Sequence, residues 1–253
     1  MKVKKYLLEK IEKDGTLHMT LIDPDDIRVE DIKYLAGYLN EAGTDAIMVG
    51  GSTVSDQEHL SNVVIELKNH ITIPVILFPN NVTGVTKYAD AIWFMSLFNS
   101  VNPYFITGAQ MLAAPSIAKM GLEPLSMAYL IVGEGRAAGF IGQAFPIPSD
   151  KPEIAAAYAL AAEMFGFDFV YLEAGSGASR PISPDFIHKV KSVLRKSFLI
   201  VGGGIRESKT AYELSKAGAD VIVTGTIFEE DPMRLKNIVE AVKKGGREKQ
   251  NVG

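Results

Sequence analysis

The chain has 253 residues, the usual size of one large α/β domain, and 26 basic against 30 acidic residues leave a net charge of −4. Its composition, 47% hydrophobic and 22% charged, excludes wholesale disorder or a fibrous repeat. The charge argues against a nucleic-acid partner, and the absence of cysteine excludes disulfides, thiolate catalysis and iron–sulfur clusters. Such a composition suits a cytoplasmic protein.

The two ends of the chain are predicted from their charge and glycine content. Near the start, Glu9, Lys10, Glu12 and Lys13 interrupt the apolar residues, whereas a secretory signal needs an unbroken apolar stretch. The spacing predicts a short amphipathic helix over residues 3–13. After Lys244 the sequence GGREKQNVG predicts a frayed, solvated tail.

Eight short apolar runs alternate with helical patterns, as is typical of parallel βαβ units. Runs that are apolar on both faces suit strands that lie between a packed barrel interior and an outer layer of helices. Eight is the number that a (β/α)8 TIM barrel requires, so we predict a single TIM-barrel domain over residues 1–253. The predicted strands are His18–Asp23, Asp45–Gly50, Ile73–Phe78, Ala91–Ser96, Leu125–Val132, Asp168–Ala174, Phe198–Gly203 and Asp220–Gly225.

One crossover between these strands does not fit the helical pattern. Residues 79–90, PNNVTGVTKYAD, contain Pro79, two asparagines and Gly84, whereas a parallel crossover needs about a dozen residues or more and is usually a helix. We therefore predict that the third helix is missing or replaced. The predicted helices are Val29–Glu41, Ser55–Lys68, Pro103–Lys119, Pro152–Phe165, Pro184–Arg195, Ser208–Ala217 and Pro232–Lys244.

Three strands in the last third of the chain end in glycine-rich turns: Tyr171–Ser179, Ile200–Ser208 and Ile222–Asp231. Glycine lets the backbone approach a ligand closely and turn its N–H groups toward it, and the loops after the last barrel strands frequently bind phosphate. Each glycine by itself could simply make a tight turn. Three such turns at the same end of a barrel favour a phosphate site.

Carboxylates at two strand ends are the candidate reactive groups. Asp23, Asp25 and Asp26 follow the first strand, and Asp23 is the best placed of the three to bind magnesium, a hard cation that also bridges to phosphate oxygens. Helix capping is the alternative for these aspartates. Ser52 and Thr53, after the second strand, could complete a metal site or cap the next helix.

Glu173 ends an otherwise apolar strand directly before the first glycine-rich turn. A carboxylate in such a place is costly unless it is paired, solvated or functional, and beside a bound phosphate ester it could act as the general base for a substrate hydroxyl. An ion pair with an arginine such as Arg206 is the structural alternative.

Residues 91–118 contain no charged side chain, although polar residues and prolines interrupt the segment. The segment is long enough to span a bilayer, but this interruption favours a buried position. Its aromatic residues could form ordinary core, the wall of an apolar groove or an oligomer interface.

Taken in order, the segments LIDPD, VGGS, YLEAGSGA, VGGGI and TGT resemble the geranylgeranylglyceryl phosphate synthase family over nearly the whole chain. The single loops are generic, but the ordered set is specific. The resemblance implies a barrel without its third helix and a Mg²⁺-dependent prenyltransferase. By this resemblance the enzyme joins sn-glycerol 1-phosphate to geranylgeranyl diphosphate through an ether bond and releases diphosphate.

The resemblance also assigns site residues and partners. It implies Mg²⁺ ligands at Asp23 and Ser52 and a catalytic carboxylate at Glu173. Leu21 stands where some members of the family carry a lysine, so more of the phosphate binding is expected from the glycine loops. The implied contacts of the glycerol phosphate are Tyr171, Leu172, Glu173, Ala174, Gly175, Ser176, Gly177, Gly203, Gly204, Gly225 and Thr226.

The resemblance further implies a homo-oligomer between a dimer and a hexamer, and we expect transient contact with a membrane surface because a long prenyl chain partitions into lipid. One alternative is a sugar-phosphate isomerase or lyase, which would share the glycine loops but would need neither Mg²⁺ nor a long uncharged wall. A second alternative is a non-catalytic phosphate-binding barrel, against which Glu173 at the strand end argues.

Overall fold

The computed structural model describes residues 2–51, 56–225 and 232–250. Eight parallel strands follow one another around a closed barrel, and the last strand pairs with the first. The predicted (β/α)8 architecture is therefore confirmed. The strands are β1 Leu17–Ile22, β2 Ala46–Val49, β3 Val75–Leu77, β4 Ala91–Leu97, β5 Glu123–Ile131, β6 Phe169–Glu173, β7 Phe198–Gly202 and β8 Val221–Thr224.

Helices surround this barrel, and most of them begin and end within a few residues of the predicted bounds. They are α1 Val3–Asp14, α2 Ile32–Ala42, α3 Gln57–His70, α4 Ala109–Met120, α5 Arg136–Ile141, α6 Pro152–Phe165, α7 Pro184–Lys191, α8 Ser208–Lys216 and α9 Pro232–Gln250. Short 3₁₀ turns follow β1 at Pro24–Asp26 and Val29–Asp31, and a π-helical turn, Tyr104–Gly108, precedes α4.

Successive residues of each strand point alternately into the barrel and toward the helices. In β6, Phe169 and Tyr171 belong to the cluster that fills the barrel interior, whereas Val170 and Leu172 pack with the surrounding helices. This alternation decides which side chains of a strand can reach the mouth of the barrel.

The third crossover contains no helix. Residues 78–90, all of them described, run from β3 to β4 through turns alone. Tyr104, in the turn before α4, donates a hydrogen bond to Asn81 Oδ1 at 2.6 Å, which ties the two sides of the resulting gap together. The prediction of a missing third helix is confirmed, and the gap leaves the outer face of β4 without a helix from this crossover.

The last helix corrects the predicted tail. α9 continues through residues 245–250, because the small Gly245 and Gly246 let it pass close to the backbone of neighbouring segments. The side chain of Lys249 then binds Asp220 at 3.0 Å, and Gln250 donates to the backbone oxygen of Glu12 at 2.8 Å. No described helix is both long and apolar enough to cross a membrane.

The buried side chain of His18 makes the stability of the barrel depend on pH. Its Nδ1 and Nε2 atoms lie 2.9 Å from the hydroxyls of Thr44 and Thr224. Burial lowers the pKa of His18 to about 4, against a smaller raising effect of Asp45 and with a small lowering effect of Lys243. The unfolded chain, in which histidine has its ordinary pKa, therefore takes up this proton first as the pH falls.

We expect His18 by itself to lower the free energy of unfolding by about 2 kcal/mol between pH 7 and pH 5. Urea denaturation at both pH values, compared between the wild type and His18→Asn, measures this contribution. The variant should lose that part of the pH dependence, and an unchanged difference between the two pH values would contradict the assignment.

Candidate active site

A cavity of about 460 Å³ opens where the strands end at their carboxyl termini. Asp23 after β1, Gly50 after β2, Phe78 after β3, Glu173 at the end of β6 and Gly225 after β8 all line it. The fold thus gathers residues that are up to about two hundred positions apart in the chain. This end of the barrel is where TIM-barrel enzymes place their active sites.

The cavity extends from the barrel interior into the gap left by the missing helix. Its wall includes Trp93 and Met95, which face the interior, but also their neighbours Ile92 and Phe94, which face outward. From the outer layer, Ile117 of α4 lines the same cavity. The predicted uncharged segment therefore forms a groove wall as well as core.

Glu173 is only 6% exposed, yet it borders this cavity. Its Oε1 accepts a hydrogen bond from the N–H of Gly175 at 2.6 Å, and its Oε2 accepts one from the hydroxyl of Tyr129 at 3.2 Å. No lysine, arginine or histidine in the described part of the chain forms an ion pair with it. Arg206, the alternative partner named above, instead donates to the backbone oxygen of Ala178 at 3.2 Å.

The surroundings of Glu173 raise its pKa. Burial is the largest cause, and the hydrogen bonds from Gly175, Tyr129 and Tyr171 partly offset it. The pKa of both tyrosines is raised well above its ordinary value, mainly by burial and further by the neighbouring carboxylate. Both phenols therefore remain protonated donors. A carboxylate with a raised pKa in a cleft suits general-base catalysis near neutral pH.

Aromatic rings surround this carboxylate. Phe78 lies 5.6 Å from the ring of Tyr129 and 5.8 Å from that of Tyr171, which are themselves 5.1 Å apart. Sequence reasoning missed Phe78 and Tyr129, since each stands at or near the end of an apolar run that reads as core. The inward-facing register of β5 against β6, which places Tyr129 opposite Tyr171, brings these rings together.

The first two glycine-rich turns meet at this same end, and the third is described only as far as Gly225, which lines the cavity. Gly175, Gly177, Gly203 and Gly204 all have positive φ angles, between 70° and 104°, a backbone region that favours glycine. The N–H groups of Ser176, Gly177, Gly203 and Gly204 donate to no acceptor within the described residues. Backbone N–H groups that converge without partners are suited to bind an anion.

Close packing explains why two neighbouring positions of the second turn, Gly202 and Gly203, favour glycine. A β-carbon at Gly203 would lie 2.6 Å from Glu173 Oε1 and 2.7 Å from the backbone nitrogen of Gly175. One at Gly202 would lie 2.0 Å from the hydroxyl oxygen of Tyr171. The second glycine turn can therefore approach the first, and the carboxylate between them, only because it has no side chains.

Asp23 is half-buried at the opposite side of the cavity, and Asp25 N donates to its Oδ1 at 3.1 Å. Burial is the main cause that raises its pKa. A β-carbon at Gly51 would lie 1.8 Å from Asp23 Oδ2, so a side chain at this position would displace the carboxylate. Within the described residues, no three His, Asp or Glu side chains gather to hold a metal ion.

The charged residues that line the cavity, in the described ranges, are the carboxylates Asp23, Asp26 and Glu173, and no lysine or arginine is among them. An acidic lining would repel a phosphorylated substrate, so a bound cation would be needed to offset it. A hard divalent cation held by one or two carboxylates together with substrate phosphates fits this donor set.

The structure places the other predicted residues unequally. Ser176 and Gly225 line the cavity. Tyr171 does not line it, but its hydroxyl donates a hydrogen bond to Glu173, which does. The side chains of Leu172 and Ala174 instead pack toward the helices, so neither faces the cavity. The predictions for Ser52, Thr53 and Thr226 fall outside the described residues.

Residues 9–243 match the model of the PcrB family. The chain belongs to this family. It is 50% identical over 251 residues to the geranylgeranylglyceryl phosphate synthase of Thermofilum pendens, with 98% of each chain covered. It is 52% identical to the enzyme of that name from Pyrococcus horikoshii, over 96% of this chain and 93% of the relative.

Solved structures agree with this assignment. The (S)-3-O-geranylgeranylglyceryl phosphate synthase of Thermoplasma acidophilum, in complex with its substrate sn-glycerol-1-phosphate, superposes with a TM-score of 0.92. It is 41% identical, over 96% of this chain and 99% of that one. The PcrB-family chain is therefore a prenyltransferase, which decides against the sugar-phosphate isomerase or lyase and against a non-catalytic barrel.

Proposed function

We propose that this enzyme joins sn-glycerol 1-phosphate to geranylgeranyl diphosphate, with Mg²⁺, and releases diphosphate. One observation carries the proposal: Glu173 and Ser176, at the first glycine-rich turn with its unpartnered N–H groups, line the same cavity as the uncharged groove wall. The relative from Thermoplasma acidophilum, with sn-glycerol-1-phosphate as its substrate, supports the choice of acceptor.

The acceptor is positioned by backbone rather than by side chains. Its phosphate would accept hydrogen bonds from the N–H groups of Ser176, Gly177, Gly203 and Gly204, which would leave one of its two free hydroxyls close to Glu173. Fixing the acceptor in this way turns a collision between two molecules into a reaction of positioned groups, which is worth several orders of magnitude in rate.

Glu173 takes the proton of the acceptor hydroxyl as the hydroxyl oxygen forms its bond to the allylic carbon. The bond from that carbon to diphosphate breaks, and its electron pair leaves on the diphosphate. Positive charge that develops on the allylic carbon is stabilised by the nearby ionised carboxylate. Tyr129 and Gly175 keep the carboxylate oriented through their hydrogen bonds to its two oxygens.

Asp23 would hold Mg²⁺ together with the diphosphate oxygens, and Ser52 is proposed as a further ligand. When bound, the ion neutralises the charge of the leaving diphosphate as a Lewis acid. Asp23 suits this role because it borders the cavity, receives no basic partner in the described chain and has a raised pKa through burial.

The prenyl chain would occupy the groove where the third helix is missing. Burial of its CH₂ groups against walls such as Phe94, Ala113 and Ile117 is worth about 0.8 kcal/mol each. The missing third helix thus provides the space that a long apolar substrate needs.

The decisive experiment incubates the purified protein with sn-glycerol 1-phosphate and prenyl diphosphates of several lengths, with and without Mg²⁺. We expect a prenyl ether of glycerol phosphate and free diphosphate in equal amounts, only when the metal is present. Release of diphosphate without the ether product, or transfer of equal rate after chelation of the metal, would refute the proposal.

The pH profile of turnover should report the ionisation of Glu173. Because Glu173 must be ionised to accept the proton, we expect turnover to fall as the pH drops through its raised pKa. The hydrogen bond from Tyr129 lowers that pKa, so Tyr129→Phe should move the acidic limb of the profile to higher pH.

Turnover measured between pH 5 and pH 9 tests this for the wild type and the variant. Tyr158→Phe is the matched control, since Tyr158 packs against Phe98 in the outer layer, away from Glu173. A limb that stays in place in Tyr129→Phe would separate Tyr129 from the titrating group.

The cytoplasmic location, the homo-oligomer and the membrane-surface contact remain predictions.

A further inference from the structure

Two arginines bind the outer side of the first glycine loop, defined here as residues 174–178. Arg136 donates from Nη2 to the backbone oxygen of Gly177 at 3.0 Å, and Arg206 donates from Nη1 to that of Ala178 at 3.2 Å. The N–H groups of Ser176 and Gly177 in the same loop have no acceptor among the described residues. The loop thus has the carbonyl oxygens of Gly177 and Ala178 occupied, while the N–H groups of Ser176 and Gly177 are available.

Occupied carbonyl oxygens and available N–H groups favour the binding of an anion to this loop. A carbonyl oxygen carries partial negative charge and repels phosphate, whereas an N–H group attracts it. A guanidinium that occupies the carbonyl removes the repulsion and adds a full positive charge against the loop, and charge-assisted hydrogen bonds are roughly twice as strong as neutral ones. No lysine or arginine lines the cavity within the described ranges, so the positive charge contributed by protein side chains there comes from behind the loop.

Arg136 is held in place by its backbone and by its packing. Its φ angle of 48° lies in the left-handed region, which is uncommon for a residue with a side chain. The Cβ and Cγ atoms of Arg136 fill the space that a side chain at Gly175 would need, at 2.8 and 2.6 Å from such a β-carbon. The unusual conformation thus places the side chain directly against the loop.

Glu134 completes the connection between the two loops. Its Oε2 lies 3.4 Å from Nη1 of Arg136, and its Oε1 accepts a hydrogen bond from the N–H of Ser179 at 3.2 Å. The segment after β5 therefore contacts the first glycine loop through both a cation and a carboxylate. Arg206, in contrast, comes from the loop after β7, on the other side of β6.

We propose that Arg136 and Arg206 are positioning residues for the phosphate of the acceptor. They act through the carbonyls of Gly177 and Ala178, and they set the affinity for the acceptor rather than the rate of prenyl transfer. This inference rests on the proposed function for the identity of the acceptor, but its chemistry requires only an anionic phosphate group in the first glycine loop.

Binding and turnover are to be measured separately on the full-length chain. Calorimetric titration with sn-glycerol 1-phosphate, and with inorganic phosphate as a second probe, gives Kd, while steady-state assays give KM and kcat. The variants are Arg136→Met, Arg206→Met and Arg136→Lys. Arg180→Met is the matched control, because Arg180 is exposed, lies two residues beyond the loop and has no partner among the described residues.

We expect Arg136→Met to weaken binding of sn-glycerol 1-phosphate about tenfold and to raise its KM equally, with kcat within about twofold of wild type. Arg206→Met should act in the same direction, and the control should stay within about twofold. Arg136→Lys should recover most of the affinity, since it restores the charge; a merely structural role would not produce such a rescue.

Unchanged Kd for both probes in Arg136→Met and Arg206→Met would overturn the inference, as would a fall in kcat at constant KM. Should Arg136→Met fail to fold, Arg206→Met and Arg136→Lys carry the same test. If the wild type binds inorganic phosphate but not sn-glycerol 1-phosphate, the proposed acceptor is wrong, and the arginine pair is still decided by the inorganic phosphate titrations.

Discussion

Glu173→Gln should lower turnover by about 10³-fold or more, because glutamine cannot take up the proton of the acceptor hydroxyl and carries no charge to stabilise the developing cation. Its side chain has the same size, and its oxygen can still accept the hydrogen bond that Gly175 donates to Glu173. The glycine turns should therefore keep their arrangement, and binding of sn-glycerol 1-phosphate should change by no more than about threefold.

Rapid-quench measurement of a single turnover, together with calorimetric binding of the acceptor, separates the two effects. Glu153→Gln, an exposed position at the start of α6, controls for the loss of one negative charge. Full activity in Glu173→Gln would remove this carboxylate from the reaction. A loss of acceptor binding as large as the loss of rate would instead assign it to substrate binding.

Asp23→Asn is expected to have the second-largest effect. Asparagine keeps the shape next to Gly51 but removes the negative charge that a hard cation needs, so the Mg²⁺ concentration for half-maximal rate should rise at least about tenfold. At limiting metal, turnover should fall about 10²-fold, since diphosphate is a poor leaving group until its charge is neutralised.

Titration of the rate with Mg²⁺ in both proteins is the measurement. Asp25→Asn is the matched control, as Asp25 is exposed and only its backbone N–H contacts Asp23. An unaltered titration curve in Asp23→Asn would exclude Asp23 as a metal ligand, while an equal shift in Asp25→Asn would show that the response depends on total charge at the barrel mouth.

Much of the fold could be read from local patterns. Apolar runs such as Val221–Thr224 and capping pairs such as Ser183-Pro184 determine strands and helix starts through short-range preferences. The missing third helix was also visible, because Pro79 and Gly84 are poor helix formers. The end of α9 was not predictable in this way, since Gly245 and Gly246 suggest a break unless the neighbouring chain is known to pass close to them.

The residues of the candidate site also separate into those that local sequence predicts and those that it does not. Local sequence is enough to predict two groups of site residues, because an apolar strand that ends in glycine or in a charge is unusual. They are the glycines at 175, 177, 203 and 204 and the carboxylates Asp23 and Glu173. A continuous motif does not show which of its side chains face the cavity, since alternate residues of a strand face opposite sides: those of Leu172 and Ala174 pack toward the helices.

The amino-acid sequence by itself determined the barrel, the gap after β3, the glycine-rich turns and the acid at the end of β6. Only the tertiary structure decided the surroundings of that acid. The pairing of β5 with β6 sets Tyr129 beside Glu173, and the two loops flanking β6 bring Arg136 and Arg206 against residues 174–178. These contacts join residues 28 to 44 positions apart. Burial, which raises the pKa of Glu173, and the cross-strand register, which supplies the partly offsetting hydrogen bond of Tyr129, are properties of the assembled barrel and of no single segment.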